Sequence, residues 1–285
     1  MEIILGKTAG FCYGVERAVA ETKKELSTRK NIYCLGELVH NKTVIEDLEK
    51  NGVKFIDNIN AAEGTIIIRA HGAPKETYEL IKKKGLEIKD LTCPNVLRTH
   101  NIAIDYSEKN YFIILIGIKS HPESIGTLSF CGKNSYLLQE KEEIPELIEK
   151  IENSKINNIL IFAQTTYNSK KFDNIVEELK QNLKNKNVVV HKTICGATEV
   201  RQKETIEISK KVEVMIIIGD KKSSNTNKLY DISKEKCKKV FLVQNASELD
   251  LKELEKVTKV GIMAGASTPR EDIEEIIGKI RGNEK

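Results

Sequence analysis

The stretch Leu86-Glu87-Ile88-Lys89-Asp90-Leu91-Thr92-Cys93-Pro94-Asn95-Val96 sets a short strand, a cysteine and a helix start in immediate succession. Two other stretches do the same. Glu2–Leu5 is an apolar strand ahead of Ala9-Gly10-Phe11-Cys12-Tyr13-Gly14-Val15 and a helical run to Leu26. Val188–Val190 leads into Thr193-Ile194-Cys195-Gly196-Ala197-Thr198 and a third such run. In the first run Val15, Ala18, Val19, Thr22 and Leu26 share one face at helical spacing. Val96, His100, Ala103 and Ser107 do so less clearly in the second, and the third run has the weakest stripe.

The order continues past the helices. His40, His121 and Ser223 stand 28 residues beyond Cys12, Cys93 and Cys195, each after an apolar strand: Asn31–Leu35, Tyr111–Ile116 and Val214–Ile218. A later strand in each third (Thr65–Arg69, Asn158–Phe162, Val260–Met263) ends at His71, at Gln164-Thr165-Thr166 and at Gly265-Ala266-Ser267. Thr165 follows His121 by 44 residues and Ser267 follows Ser223 by 44, whereas His71 follows His40 by only 31. Short β-branched strands alternating with helices, repeated every 90–100 residues or so, predict three small α/β units in a pseudo-threefold, trefoil-like array. The expected bounds are 13–93, 94–191 and 192–281. The last unit has no strand after its helix near Glu271–Ile280, so Glu2–Leu5 is expected to join that sheet and close the ring. Ligands of α/β sheets bind at the carboxyl ends of strands, where all these landmarks fall, so all could face one central cavity. Pro74, Pro94, Pro122 and Pro269 follow landmarks closely and mark helix starts, whose free N–H groups suit an anion.

Composition narrows the classes. The 285 residues carry a net charge of +4 with both signs interleaved, and the pI of 8.5 lies below the value of about 9 typical of a nucleic-acid-binding domain. The near-continuous apolar run Tyr111–Ile118 is far shorter than the roughly 20 residues of a membrane helix. Met1-Glu2-Ile3-Ile4-Leu5 has no basic n-region. A soluble, cytoplasmic protein without nucleic-acid or membrane partners is expected. Six cysteines occur without a CxxC pair, against a zinc ribbon, a thioredoxin-type site or a disulfide framework. Cys34, Cys131 and Cys237 read as small buried hydrophobes.

Cys12, Cys93 and Cys195, one in each repeat of the strand–cysteine–helix order, suit a four-iron four-sulfur cluster with one open iron. A Cys₃ zinc site and three buried thiols are the alternatives, because the short ligand spacings usual for iron–sulfur proteins are absent. His40, His71, Ser223, Asn225 and Ser267 are donors that would suit a diphosphate, and His121 shares a repeat position with His40. His100 and His191 match no repeat position and read as structural. Glu123 is the one acid of the constellation; to act as an acid near neutrality its pKa must rise by about 2–3 through burial or neighbouring negative charge.

The motifs Gly10-Phe11-Cys12-Tyr13-Gly14-Val15, Val39-His40-Asn41, Ala70-His71-Gly72, Thr92-Cys93-Pro94, His121-Pro122-Glu123, Gln164-Thr165-Thr166, Ile194-Cys195-Gly196-Ala197-Thr198, Ser223-Ser224-Asn225 and Ala264-Gly265-Ala266-Ser267 resemble the LytB family, in order, from about residue 2 to 281. Its members are the 4-hydroxy-3-methylbut-2-enyl diphosphate reductases that end the non-mevalonate isoprenoid pathway. The resemblance implies a 4Fe-4S cluster held by Cys12, Cys93 and Cys195, with one iron open. It implies reductive dehydroxylation to isopentenyl and dimethylallyl diphosphates, with ferredoxin or flavodoxin as electron donor. It also implies that His40, His71, Ser223, Ser224, Asn225 and Ser267 bind the diphosphate, with His121 adjacent. Glu123 would deliver protons, and Thr165, or Thr166 beside it, would meet the substrate hydroxyl. Tyr13 departs from the small residue common there. With the last residue Lys285, the fused RNA-binding repeats of some relatives are not expected. An iron–sulfur carrier or sensor and a non-redox dehydratase are the rival classes.

Overall fold

Runs of Ile, Val and Leu without polar alternation are stable as strands only where both faces of a sheet are covered, as parallel sheets with flanking helices require. In the computed structural model, which describes residues 1–282, these runs build three four-stranded sheets whose neighbouring strands are all parallel. The strands are β1 (Glu2–Leu5), β2 (Ile32–Leu35), β3 (Val53–Ile56), β4 (Thr65–Ile68), β5 (Glu87–Asp90), β6 (Phe112–Ile116), β7 (Ser135–Leu138), β8 (Asn158–Ala163), β9 (Asn187–His191), β10 (Val214–Ile218), β11 (Lys239–Val243) and β12 (Lys259–Ala264). The helices between them are α1 (Tyr13–Thr28), α2 (Lys42–Lys50), α3 (Lys75–Lys83), α4 (Pro94–Glu108), α5 (Pro122–Leu128), α6 (Ile144–Ser154), α7 (Ser169–Asn182), α8 (Gly196–Ser209), α9 (Ser224–Lys234) and α10 (Arg270–Gly282). None of the described helices is long and apolar enough to cross a membrane.

The chain packs as two compact units. One comprises Met1–Arg17, Val39–Lys50 and Gly196 onward; the other comprises Ala18–Leu38 and Asn51–Cys195. The second unit holds two sheets, ordered β3-β2-β4-β5 and β7-β6-β8-β9. In the latter, Ile114, Ile116, Ile159 and Ile161 pack on one face, while Ile113, Leu115, Leu160 and Phe162 pack on the other. Each is at most 1% exposed, and each such burial contributes about 1.5–3 kcal/mol.

The first unit holds the sheet β1-β12-β10-β11. Its order repeats the other two, with β1 in the place that β5 and β9 hold beside β4 and β8. β1 runs parallel to β12, Ile3 opposite Val260 and Ile4 opposite Gly261. Ile3 joins the apolar cluster on one face and Ile4 that on the other. Deleting residues 2–5 is therefore expected to cost about 3 kcal/mol. It should also speed amide exchange along β12, which hydrogen-exchange mass spectrometry would read.

Three details differ from the sequence reading. Strands β3, β7 and β11 were not anticipated; each lies at a sheet edge, with at most two of its residues buried. Pro94 and Pro122 do open α4 and α5, but Pro74 is the N-cap of α3 and Pro269 precedes α10. The equal 44-residue spacings also mislead by one position. Gln164 and Gly265 both donate from their backbone N–H to the last residue of the neighbouring strand, Ile116 or Ile218. Thr166, not Thr165, is thus the counterpart of Ser267, and Thr165 corresponds to Ala266.

Candidate active site

The repeat is written most clearly in how the cysteines are held. The backbone N–H of Cys93 donates to the Ala70 carbonyl at 3.0 Å, that of Cys195 to Thr165 at 2.9 Å, and that of Cys12 to Ala266 at 3.1 Å. All three cysteines are partly exposed, whereas Cys34, Cys131 and Cys237 are buried. Burial pushes the Cys34 and Cys131 thiols up to about 12, so neither supplies a thiolate near neutral pH. The Cys131 and Cys237 thiols donate to backbone carbonyls. Cys12, Cys93 and Cys195 are the described cysteines whose side chains are not sealed in a core, and a partly exposed thiol is the kind that can serve as a metal ligand.

In the second unit the chemistry gathers around Glu123. His121 caps α5, its Nδ1 accepting the Glu123 N–H at 3.1 Å, so a neutral His121 ring carries its proton on Nε2. Helix α5 thereby delivers the Glu123 carboxyl into the interior, 2% exposed. Thr165 meets it twice: its N–H donates to Oε1 at 2.6 Å and its hydroxyl to Oε2 at 2.8 Å. Burial pushes the carboxyl up to about 7, and the two Thr165 donors restrain the rise. Thr166 is engaged elsewhere, its Oγ1 accepting from Gln164 Nε2 at 3.0 Å. Replacing Thr165 by Val removes one donor that favours the carboxylate, so the Glu123 pKa should climb further. A pH–rate profile whose alkaline limb moves to higher pH than in the parent would show this.

The same unit links this pair to the cysteines. The Thr165 carbonyl accepts the Cys195 N–H, and Asn95 Nδ2, two residues past Cys93, donates to Cys195 Sγ at 3.1 Å. His71 lies edge-on to His121, ring centroids 5.3 Å apart. His100 instead stacks on Phe130 at 4.5 Å, and burial lowers its pKa to about 4. The His191 ring meets the Tyr106 hydroxyl at 2.8 Å, so both His100 and His191 take structural roles.

The first unit gathers hydrogen-bond donors. Ser223 caps α9, its oxygen accepting the Thr226 N–H at 3.3 Å, which leaves the hydroxyl proton available to a ligand. Ser224 and Asn225 form the first turn of that helix. The Asn225 amide is 3% exposed, and neither its nitrogen nor its oxygen has a hydrogen-bond partner. A buried amide nitrogen at a helix N-terminus is a donor of the kind that suits an anionic ligand. Gly265 lets the loop after β12 approach this turn: a Cβ there would fall 2.1 Å from Thr226 Oγ1. Ser267 on that loop donates to the His40 carbonyl at 2.8 Å, and Asn41 next to His40 caps α2 through Val44 N at 3.0 Å. His40 thus stands one residue ahead of a helix cap, where His121 and Ser223 are the caps themselves.

Comparison with known proteins adds independent weight. The family model described as LytB protein matches residues 3–281. The chain is 41% identical to a 4-hydroxy-3-methylbut-2-enyl diphosphate reductase of Thermoanaerobacter sp. (strain X514), covering 99% of this chain and 97% of the relative. A protein of the same name from Aquifex aeolicus is 39% identical, over 99% and 96%. Among solved structures, E-1-hydroxy-2-methyl-but-2-enyl-4-diphosphate reductase from Plasmodium falciparum superposes with a TM-score of 0.88 at 30% identity, covering 97% of this chain and 87% of that one. A second, described as the terminal enzyme of the non-mevalonate pathway, gives 0.71 at 37% identity, over 99% and 100%.

Proposed function

This chain belongs to the LytB family of iron–sulfur enzymes, and from that premise we propose that it reduces 4-hydroxy-3-methylbut-2-enyl diphosphate. In the reaction two electrons and two protons enter, the C4–O bond breaks, and water leaves with isopentenyl or dimethylallyl diphosphate as product. The observation that carries this reading is the fully buried Glu123, poised near pH 7 and doubly held by Thr165, whose own carbonyl holds Cys195.

Cys12, Cys93 and Cys195 would hold a 4Fe-4S cluster with three thiolate ligands. When bound, such a cluster supplies electrons, fed by a ferredoxin or flavodoxin, and a Lewis-acidic iron. The protein's own residues do the rest. His40, Ser223, Ser224, Asn225 and Ser267, with His71 and His121, donate hydrogen bonds to the diphosphate. Thr165 orients the substrate hydroxyl. Glu123, with its pKa raised to about 7, is in large part protonated at neutral pH and gives the proton that turns the departing oxygen into water. Residues 13–93, 94–191 and 192–281 would act as three α/β domains, with strand 2–5 serving the third.

Anaerobic turnover of the synthetic diphosphate, with and without a one-electron reductant, tests the assignment. Isopentenyl and dimethylallyl diphosphates should form only with the reductant. Loss of water from the substrate without the reductant, giving a dehydrated diphosphate two electrons more oxidised than these products, would make the protein a dehydratase. A reducible cluster that yields no product would make it a carrier.

A further inference from the structure

The third helical run, weakest of the three in apolar periodicity, is α8, and its buried stripe is mostly polar: Thr198, Arg201, Gln202, Thr205 and Ser209, with Ile208 the apolar member. A guanidinium taken out of water is costly unless its donors find acceptors. Arg201 is 3% exposed. Its Nε donates to the Thr8 carbonyl and its Nη2 to the Gly10 carbonyl, both at 2.8 Å. Three residues on, Glu204 accepts from Lys7 N at 2.7 Å, from Thr8 N at 2.9 Å and from the Thr8 hydroxyl. Burial pushes the Glu204 carboxyl up, but these Thr8 and Lys7 donors outweigh it and hold the group below its ordinary range.

Both side chains converge on the segment just ahead of Cys12. That segment needs an external hold for a reason visible in the chain. Two residues separate β5 from Cys93 and three separate β9 from Cys195, but six separate β1 from Cys12. Within those six, Gly10 adopts φ 105°, a conformation that L side chains rarely take. Sheet pairing cannot fix so long a lead.

We propose that Arg201 and Glu204 are positioning residues that set the 7–10 loop and so present the Cys12 thiol as a ligand, a role that rests on the cluster assignment above. The helix that begins directly after the third cysteine thereby holds the loop carrying the first.

The metal-free protein tests this without turnover. Parent, Arg201→Met, Arg201→Lys and Glu204→Gln are compared by hydrogen exchange over residues 6–12 and by the rate at which iodoacetamide alkylates Cys12 relative to Cys195. Loss of two charge-assisted bonds in Arg201→Met should speed exchange there by about tenfold or more and raise the Cys12 ratio several-fold. Arg201→Lys, which keeps the charge and one donor direction, should recover part of both. Glu204→Gln should show a smaller effect centred on residues 7 and 8. Unchanged exchange and alkylation in the folded variants would overturn the proposal. If Arg201→Met does not fold, Glu204→Gln decides alone, because that side chain is only partly buried. Iron per chain after anaerobic reconstitution separates the two readings. Parent protein that takes up no iron while the loop still responds would sink the cluster assignment and leave the clamp supported; lower iron retention in the variants supports both.

Discussion

Glu123→Gln is expected to lower kcat by about 10²–10⁴ while leaving iron content and substrate affinity near those of the parent. The carboxyl sits 2% exposed with its pKa at about 7, so at neutral pH a large share carries the proton that the proposed mechanism draws on. Above that value the protonated fraction falls tenfold per pH unit, and kcat of the parent should fall with it. The glutamine variant should lack this limb. Folding stability carries the same signature. Unfolded, the group titrates near 4.5; folded, near 7, so between these values the native state binds more proton than the unfolded state. Stability therefore declines as pH rises through that window, by about 3 kcal/mol in all at 1.36 kcal/mol per pH unit. Glu123→Gln should lose this dependence, and denaturant melts at pH 5 and pH 8 would show it. Turnover of the variant at the parental rate would assign proton delivery to another group.

If Cys12, Cys93 and Cys195 hold the cluster as proposed, serine at any of them should abolish turnover to the detection limit, because each thiolate would hold the group on which the electrons depend. Serine is a far weaker ligand for iron than thiolate, which leaves the cluster incomplete or absent. Cys131→Ala is the contrast. Its thiol lies 1% exposed in the apolar cluster beside Leu115 and Phe162 and donates to the Thr127 carbonyl at 3.4 Å. Removing it should cost about 1 kcal/mol of stability and no iron. Anaerobic iron and sulfide analysis, with thermal melts alongside, distinguishes the classes. A cluster that survives Cys93→Ser, or disappears in folded Cys131→Ala, would refute the ligand set.

Much of this molecule was legible in the chain because its determinants are local. The spacing of Val15, Ala18, Val19 and Thr22 specifies a helix, and the unbroken apolar runs at 66–68 and 214–218 specify strands buried on both faces. The missing last strand of the third unit, set against the spare strand Glu2–Leu5, even indicated that this strand joins the third sheet, where it pairs with β12. What the chain could not express is bonding between distant residues. No periodicity announces that Thr165 grips Glu123 from 42 positions away, that Asn95 reaches Cys195 across 100, or that Arg201 reaches the Gly10 carbonyl across 191. Nor could counting residues reveal that Thr166, rather than Thr165, stands where Ser267 does, since an extra residue between two strands is invisible until hydrogen bonds set the register. The sequence by itself determined the elements, their repeat and the residue types at strand ends. Tertiary structure alone decided which donors meet which acceptors, because burial raises a pKa and makes an ion pair or a hydrogen bond obligatory only once folding has excluded water.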